Sequence, residues 1–177
     1  MGSASEGRLA GYQQLIARRV ANTVQRAINQ LEPARLGWGS RREPSQVFNG
    51  RWFMDDEKER RNPCGGVDAV RMNPAGMAPT LVKPAGPTDP EIAFILVQAK
   101  NGWLLAVLAA YSLHYVGGVP AGVVSADYFG AFTTRLGALL GADRQDPPFV
   151  GLMANGTSAD VNKINFREKV PVRAPFE

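Results

Sequence analysis

His114, the only histidine of the chain, is the residue with the widest range of chemistry. It comes shortly after an apolar run that ends at Tyr111, and Gly117 and Gly118 follow it. Groups at the carboxyl ends of strands reach the crevice where ligands bind in open α/β sheets. An imidazole there can bind a metal ion or transfer protons near neutral pH. The alternative from the residues alone is a hydrogen-bonded histidine in a half-buried loop.

Ser112 lies two residues before His114 and suggests a serine nucleophile with a histidine base. Side chains two positions apart on a strand share a face. A catalytic serine–histidine pair also needs a third group that orients the base. The sequence places no such group beside the pair, so we do not expect Ser112 to be a nucleophile.

Small polar residues occupy positions 155–162, directly after another apolar run. Such a segment can present backbone N–H groups and hydroxyls to an anion or a developing oxyanion. The same composition is typical of a surface turn stabilised by Asn and Asp side chains. Residues 155–157 also match a glycosylation acceptor, a short pattern with many false matches. The residues alone leave these readings open.

Three weaker candidates complete the set. Ser125 and Asp127 are explained by a helix cap with an acid in the first turn, and a metal-ligand role for Asp127 is not needed. Arg51 lies in a loop-rich region, where a guanidinium can hold a carbonyl or a carboxylate. Cys64, the single cysteine, lacks the clustered ligands of a structural zinc site and indicates a plain thiol.

The first half of the chain predicts one helix and then irregular structure. Apolar residues recur every three or four positions over residues 9–31, which predicts a helix that ends before Pro33. We expect residues 1–8 to be disordered. Residues 34–90 are rich in Gly and Pro and predict loops and short strands.

The second half predicts a sheet. Two apolar runs, 92–98 and 103–111, flank an Asn-Gly turn at 101–102, which is a hairpin signal. Neither run alternates strictly, so we expect both strands to be buried on two faces. A helix after Ser125 and a strand over 149–154 follow. The predicted fold class is mixed α/β (α+β), with a buried sheet, flanking helices and a long irregular loop region.

Composition narrows the function classes. The 177 residues, 45% hydrophobic and 20% charged, fit one globular domain. No apolar stretch reaches the 18 or so residues that suggest a membrane-spanning helix, and no signal peptide is visible, which leaves the compartment open. The net charge of +4 is spread among acids rather than gathered on a basic face, so we expect no nucleic-acid partner.

Five segments together are more specific than any one motif. In their order along the chain they resemble the neutral/alkaline non-lysosomal ceramidase family, particularly its bacterial ceramidase-like members. The segments are residues 48–51, 82–91, 111–118, 125–130 and 149–166.

The resemblance implies that residues 1–177 are an internal fragment of the family's N-terminal catalytic domain, part of a larger zinc-hydrolase domain. Family members hydrolyse the amide bond of ceramide with a zinc-activated water, and His114 matches one of their zinc ligands. A zinc site takes about three or four protein ligands. The family's paired-histidine motif and its glutamate and tyrosine ligands find no match here. We therefore expect the chain alone to be inactive. The resemblance implies a ceramide-like lipid amide as the substrate of the full-length relatives, and the rest of the parent domain as the partner of this chain.

Two positions depart from the family pattern. The family's substrate-side arginine matches a position one residue before Arg51, and its substrate-side serine falls at Asn162. These differences imply a substrate other than ceramide, or no substrate. The alternative function is a non-catalytic structural or binding domain that keeps the fold without metal.

Overall fold

The computed structural model describes residues 3–169, with side chains described from residue 11 onward. The chain forms two compact units, Met1–Ala34 and Arg35–Glu177. No helix among residues 3–169 is long and apolar enough to cross a membrane.

The first unit contains helix α1, Ser3–Asn29. Its apolar side chains recur at helical spacing, as the sequence predicts, and they are exposed; Tyr12, Ile16, Val20, Val24 and Ile28 are examples. The helix begins at Ser3, whereas the expected disordered start covers residues 1–8. Residues 3–8 contain helix-favouring Ala, Glu and Arg without an apolar stripe, so periodicity gives no sign of this turn. Met1 and Gly2 lie outside the described residues.

The second unit has nine strands, one α-helix and two short 3-10 helices over its described residues. The α-helix, α2, is Asp127–Leu139, and the 3-10 helices are Pro44–Gln46 and Lys58–Arg60. The strands are β1 Ala34–Arg42, β2 Phe48–Asn49, β3 Arg51–Met54, β4 Arg71–Met72, β5 Leu81–Pro84, β6 Glu91–Ala99, β7 Leu104–Tyr111, β8 Val150–Asn155 and β9 Val161–Asn162.

The main sheet has the strand order β1-β6-β7-β8. Strands β6 and β7 form the predicted antiparallel hairpin, and Gly102 in its turn has a φ of 96°, which glycine adopts without steric cost. Strand β8 runs parallel to β7, so Tyr111 pairs with Asn155 at their carboxyl ends. This parallel pairing brings the segments that follow both strands to one edge of the sheet.

Helix α2 connects β7 to β8 and packs on one face of the main sheet. Close approach is possible because Gly151 faces Thr133 of the helix, where an added Cβ would lie 3.2 Å from the Thr133 Cα. The same face carries buried Val107, Ala109 and Tyr111. The mixed α+β fold class is thus confirmed.

The opposite face of the main sheet differs from the expected two-sided burial. Ile95, Leu108 and Leu152 are register neighbours across three strands, and they are 47%, 44% and 52% exposed. The apolar sequence of β6 and β7 predicts a covered face, but no element among the described residues 35–169 buries these side chains. The unit therefore presents a contiguous apolar sheet face to solvent.

Two small sheets contain the short strands of the loop-rich part of the chain. Strands β4-β3-β5 form one, and β2 pairs with β9 in the other. One core cluster contains Val47, Tyr111, Leu113 and Val161. A second contains Trp52, Met54 and Phe166. Short strands and loops in the middle third match the prediction, although β1 is a nine-residue strand.

Candidate functional site

A cleft of about 320 Å³ lies beside the carboxyl end of β7. Its lining includes His114 and Asn162, two of the three site residues that the family resemblance indicates. Asn73 and Lys163 also line it. The cleft forms because the parallel pairing of β7 and β8 directs the loop after each strand to the same sheet edge.

The His114 ring is half-buried and accessible from this cleft. Its Nδ1 lies 3.4 Å from the Tyr115 carbonyl oxygen, which is long for a hydrogen bond. The Tyr115 ring lies beside it with the ring centroids 4.2 Å apart. The imidazole is therefore at the surface of an open cavity rather than inside an apolar core, and it is available to a ligand.

Asn162 contributes an amide that is already engaged within the protein. Its Nδ2 donates to Asn73 Oδ1 at 3.1 Å, and its Oδ1 accepts the Ile164 N–H at 3.0 Å. Asn73 has a φ of 49°, a left-handed conformation that Asn tolerates better than most residues. The pair fixes part of the cleft lining, and Lys163 adds a positive charge to that lining.

Arg51, the third candidate, is exposed on β3 and is not among the residues that line the cleft. Its backbone N–H donates to Asn49 Oδ1 at 2.8 Å, and its carbonyl accepts the Ala85 N–H at 2.8 Å. The structure thus brings His114 and Asn162 together and leaves the Arg51 guanidinium elsewhere. A substrate-side role for Arg51 stays a prediction.

Asn49 is a structural residue that the sequence analysis does not identify. It is 4% exposed, and its Nδ2 donates to Asp160 Oδ2 at 3.3 Å and to the Pro87 carbonyl at 3.4 Å. The neighbouring Gly50 N–H donates to the Asp160 carbonyl at 2.6 Å. One buried amide therefore joins three of the segments that carry the family resemblance, and its position in the first of them is the only sequence signal.

Ser112 is 2% exposed and pairs with Thr157 rather than with His114. Its Oγ lies 3.1 Å from Thr157 Oγ1 and accepts the Thr157 N–H at 3.1 Å. The Gly156 N–H donates to the Tyr111 carbonyl at 2.8 Å. Because the N–H groups of residues 156 and 157 are used inside the protein, these two groups are not free to bind an oxyanion.

Asp127 has a larger role than that of the predicted acid in the first turn of a helix capped by Ser125. Ser125 Oγ accepts the Asp127 N–H at 3.0 Å, as expected near a helix start. The Asp127 carboxylate accepts backbone N–H groups from Val116 at 3.1 Å, Gly117 at 2.8 Å and Tyr128 at 2.6 Å. Burial, the largest influence, raises the pKa of Asp127, but these bonds together with the charge of nearby Lys163 outweigh it and lower the pKa.

Tyr128 binds the same loop from its other side. Its hydroxyl donates to the Leu113 carbonyl at 2.8 Å. Burial, followed by the charge of Asp127 and the neighbouring Tyr111, raises the pKa of Tyr128 to about 12. The hydroxyl therefore remains a donor throughout the physiological pH range.

His114 is the only His, Cys, Asp or Glu among the described residues that line the cleft. Within residues 3–169, no group of three His, Cys, Asp or Glu side chains could hold a metal ion. The other polar side chains that line the cleft are those of Asn73, Tyr115, Asn162 and Lys163. Zinc takes about three or four ligands. The described residues therefore do not fit a complete zinc site by themselves.

No protein-family model matches the chain, and no curated protein matches it. Solved structures do. A neutral ceramidase from Pseudomonas aeruginosa superposes with a TM-score of 0.54 and 18% identity, over 88% of this chain and 21% of that chain. A ceramidase complexed with C2 superposes with a TM-score of 0.50 and 18% identity, over 78% of this chain and 18% of that chain.

The chain spans about a fifth of the length of these two structures. At 18% identity the similarity establishes the fold. The resemblance that the five sequence segments indicate is confirmed at that level: the chain has the fold of a segment of neutral ceramidase.

Proposed function

We propose that the chain is part of the N-terminal catalytic domain of a ceramidase-like zinc amide hydrolase, in which His114 is one zinc ligand. The observation that carries this proposal is the half-buried imidazole in an open cleft at the end of β7. This imidazole belongs to a chain that has the fold of a neutral ceramidase segment. In such hydrolases zinc lowers the pKa of a bound water to about 7 and polarises the carbonyl of the substrate.

The remaining zinc ligands come from parts of the parent domain outside this chain. Two features support this. The cleft contains a single imidazole and no carboxylate cluster among the described residues. The main sheet also exposes a contiguous apolar face around Ile95, Leu108 and Leu152, and a face of this kind marks a surface that another element covers. The chain by itself is therefore inactive.

The substrate is a lipid-like amide that differs from ceramide in the part near Asn162. Asn162 occupies the position of the substrate-side serine, and its amide is bonded to Asn73 and Ile164. A side chain held in this way presents a different surface from a free hydroxyl. Arg51 lies outside the cleft lining, so in this domain it contacts a more distant part of the substrate.

The test compares the longer protein that contains this segment with its His114→Ala variant. Zinc content by metal analysis and hydrolysis of a fluorescent N-acylsphingosine and of shorter N-acyl amides are measured. We expect His114→Ala to lose bound zinc and hydrolysis together. Cys64→Ser, at an exposed position away from the cleft lining, is the matched control and retains both. Undiminished zinc and hydrolysis in His114→Ala would overturn the proposal.

The 177-residue chain provides a second readout. A single imidazole does not offset the dehydration of the metal ion as a complete site does, so we expect weak or no zinc binding by the chain alone. Stoichiometric zinc that depends on His114 would contradict the view that one ligand is present.

The alternative is a non-catalytic structural or binding domain that keeps the fold without metal. The incomplete ligand set favours it for this chain as a separate molecule. A longer protein that folds and assembles, yet holds no zinc and cleaves no amide, would favour the alternative.

A further inference from the structure

Two consecutive residues at the start of α2 hold the backbone on both sides of His114. The Tyr128 hydroxyl donates to the Leu113 carbonyl at 2.8 Å, before the histidine. The Asp127 carboxylate accepts the N–H groups of residues 116 and 117 at 3.1 and 2.8 Å, after it. We propose that Asp127 and Tyr128 are positioning residues that set the direction of the His114 imidazole in the cleft.

The segment that carries His114 needs such support. Strand β7 ends at Tyr111, and no helix or strand begins before Asp127. Gly117 and Gly118 have φ values of 64° and 80°, so the chain leaves the segment through residues of high conformational freedom. Among the described residues, the ring's only hydrogen-bond contact is the long one of 3.4 Å with the carbonyl of its neighbour Tyr115. Ring contacts alone therefore do not fix the imidazole.

The two positioning residues are themselves firmly held. The Tyr128 ring packs against the core cluster of Val47, Tyr111, Leu113 and Val161. Asp127 has a φ of 52°, a conformation that few residues other than glycine adopt, and Asp and Asn are the usual exceptions. Hydrogen bonds from backbone N–H groups to an ionised carboxylate are stronger than neutral ones. The start of α2 is thus a rigid platform for the loop.

Helix capping alone does not account for this arrangement. The side chain of a helix cap accepts the N–H of a residue two or three positions on, whereas Asp127 Oδ1 accepts the N–H of its direct neighbour Tyr128 at 2.6 Å. The bonds from Val116 and Gly117 cross to a loop more than one turn away in sequence and use Oδ2 as well. Asn keeps one acceptor oxygen and the tolerance of positive φ. Asp127→Asn therefore leaves the backbone conformation accessible and removes the second acceptor and the charge.

The experiment uses the 177-residue chain labelled with 13C and 15N histidine. His114 is the only histidine, so the imidazole gives a single assignable set of NMR signals. Asp127→Asn, Tyr128→Phe and the double variant are compared with Thr134→Ala, an exposed position on α2. We expect the ring 13Cε1 and 15N signals to shift and broaden in both single variants, and more in the double variant. Thr134→Ala leaves them unchanged.

A fold control separates positioning from general destabilisation. Trp52 belongs to the other core cluster, and its indole N–H, which donates to the Asn49 carbonyl at 2.9 Å, reports on that region. It should keep its chemical shift in every variant. If Asp127→Asn unfolds the chain, the Tyr128→Phe variant alone tests the positioning role, because it keeps the packed ring and removes only the hydroxyl. Unmoved His114 signals in a folded Tyr128→Phe variant would overturn the proposal.

The consequence for catalysis rests on the proposed function, but the NMR result does not. In the longer protein, loss of a residue that orients a zinc-binding histidine costs about 10- to 100-fold in metal affinity or activity. We expect kcat to fall in Tyr128→Phe with little change in KM. Shifted His114 signals without any hydrolysis by the longer wild-type protein would sink the proposed function only. Hydrolysis with unmoved His114 signals would sink the positioning role only.

Discussion

Ser112 Oγ lies 3.1 Å from Thr157 Oγ1 and also accepts the Thr157 backbone N–H at 3.1 Å. These bonds join the first residue after β7 to the second residue after β8. They continue the parallel pairing beyond its last pair, Tyr111 with Asn155. The loop that leads to His114 is thereby fixed against the segment that leads to Asn162.

Ser112→Ala should lower the free energy of unfolding by about 1–3 kcal/mol, because it removes the acceptor of a part-buried Thr157 N–H. Urea denaturation followed by tryptophan fluorescence measures this change. Thr157→Val removes the partner hydroxyl and keeps the N–H. Since the two side chains interact, the double variant should lose less stability than the sum of the two single variants. Additive losses would show that the hydroxyl pair contributes nothing.

Gly156→Ala should destabilise the same junction by about 1–3 kcal/mol, the usual cost of overpacking. An alanine Cβ at this position would lie 2.6 Å from Ser112 Oγ and 3.3 Å from the Ser112 Cα. Gly37→Ala is the control, because its nearest atom, Leu96 Cβ, is 4.0 Å away. Thermal melting of both variants gives the comparison. Equal melting temperatures would contradict the close approach of residues 112 and 156.

Asn49→Ala should weaken the contact between the three segments that its side chain joins. It leaves the Arg51 N–H without its 2.8 Å acceptor and removes the donor to Asp160 Oδ2. Leaving such a buried group unpaired costs about 1–3 kcal/mol. Hydrogen exchange should rise at the Arg51 amide in particular. Unaltered exchange at Arg51 would show that another group replaces the Asn49 oxygen.

The Asn49→Asp variant separates the loss of the Asn49 donor from the loss of the Asn49 acceptor. Asp keeps an acceptor for Arg51 but cannot donate, and it places a carboxylate beside that of Asp160. We expect Asn49→Asp to be less stable than wild type near pH 7 and to recover part of the difference on acidification, because like charges raise the pKa of a carboxyl pair. Circular dichroism melts across pH measure the recovery.

The local parts of the fold follow from sequence pattern. The β6–β7 hairpin is encoded by two apolar runs and the Asn-Gly turn at residues 101–102. The position of His114 follows because a residue just after a strand lies at the sheet edge. These inferences need only short-range periodicity and turn chemistry.

The long-range contacts of the fold do not follow from local sequence pattern. Asn49 Nδ2 donates to Asp160 across 111 positions and to Pro87 across 38, and no local pattern encodes such a contact. The exposed sheet face around Leu108 is a second case. An apolar run indicates that a face is suited to burial, but it does not indicate which element covers that face. The sequence predicts Asp127 only as the acid in the first turn of a helix capped by Ser125, because its bonds to the loop after β7 depend on tertiary placement.

Asp127→Asn tests the charge of the carboxylate through pH. The folded-state pKa of Asp127 is lowered: burial raises it, but the N–H groups of Tyr128, Gly117 and Val116 and the charge of Lys163 prevail. A lowered folded pKa stabilises the fold above the unfolded pKa of about 3.9 and ceases to do so as pH falls through the folded value. Wild type should therefore exceed Asp127→Asn in unfolding free energy at pH 7 by about 1.5–3 kcal/mol, the contribution of hydrogen bonds to a charged group. This difference should hold down to about pH 5 and shrink below about pH 4.

Denaturation of both proteins at several pH values between 7 and 3 measures that difference. Asp143→Asn is the matched control, because Asp143 forms only an exposed ion pair with Arg144 at 3.8 Å among the described contacts. Exposed pairs of this kind contribute little, so its difference from wild type should stay near zero at every pH. An Asp127→Asn difference that is the same at pH 3 and pH 7 would mean that the loop after β7 recognises the shape of the Asp127 side chain and not its charge.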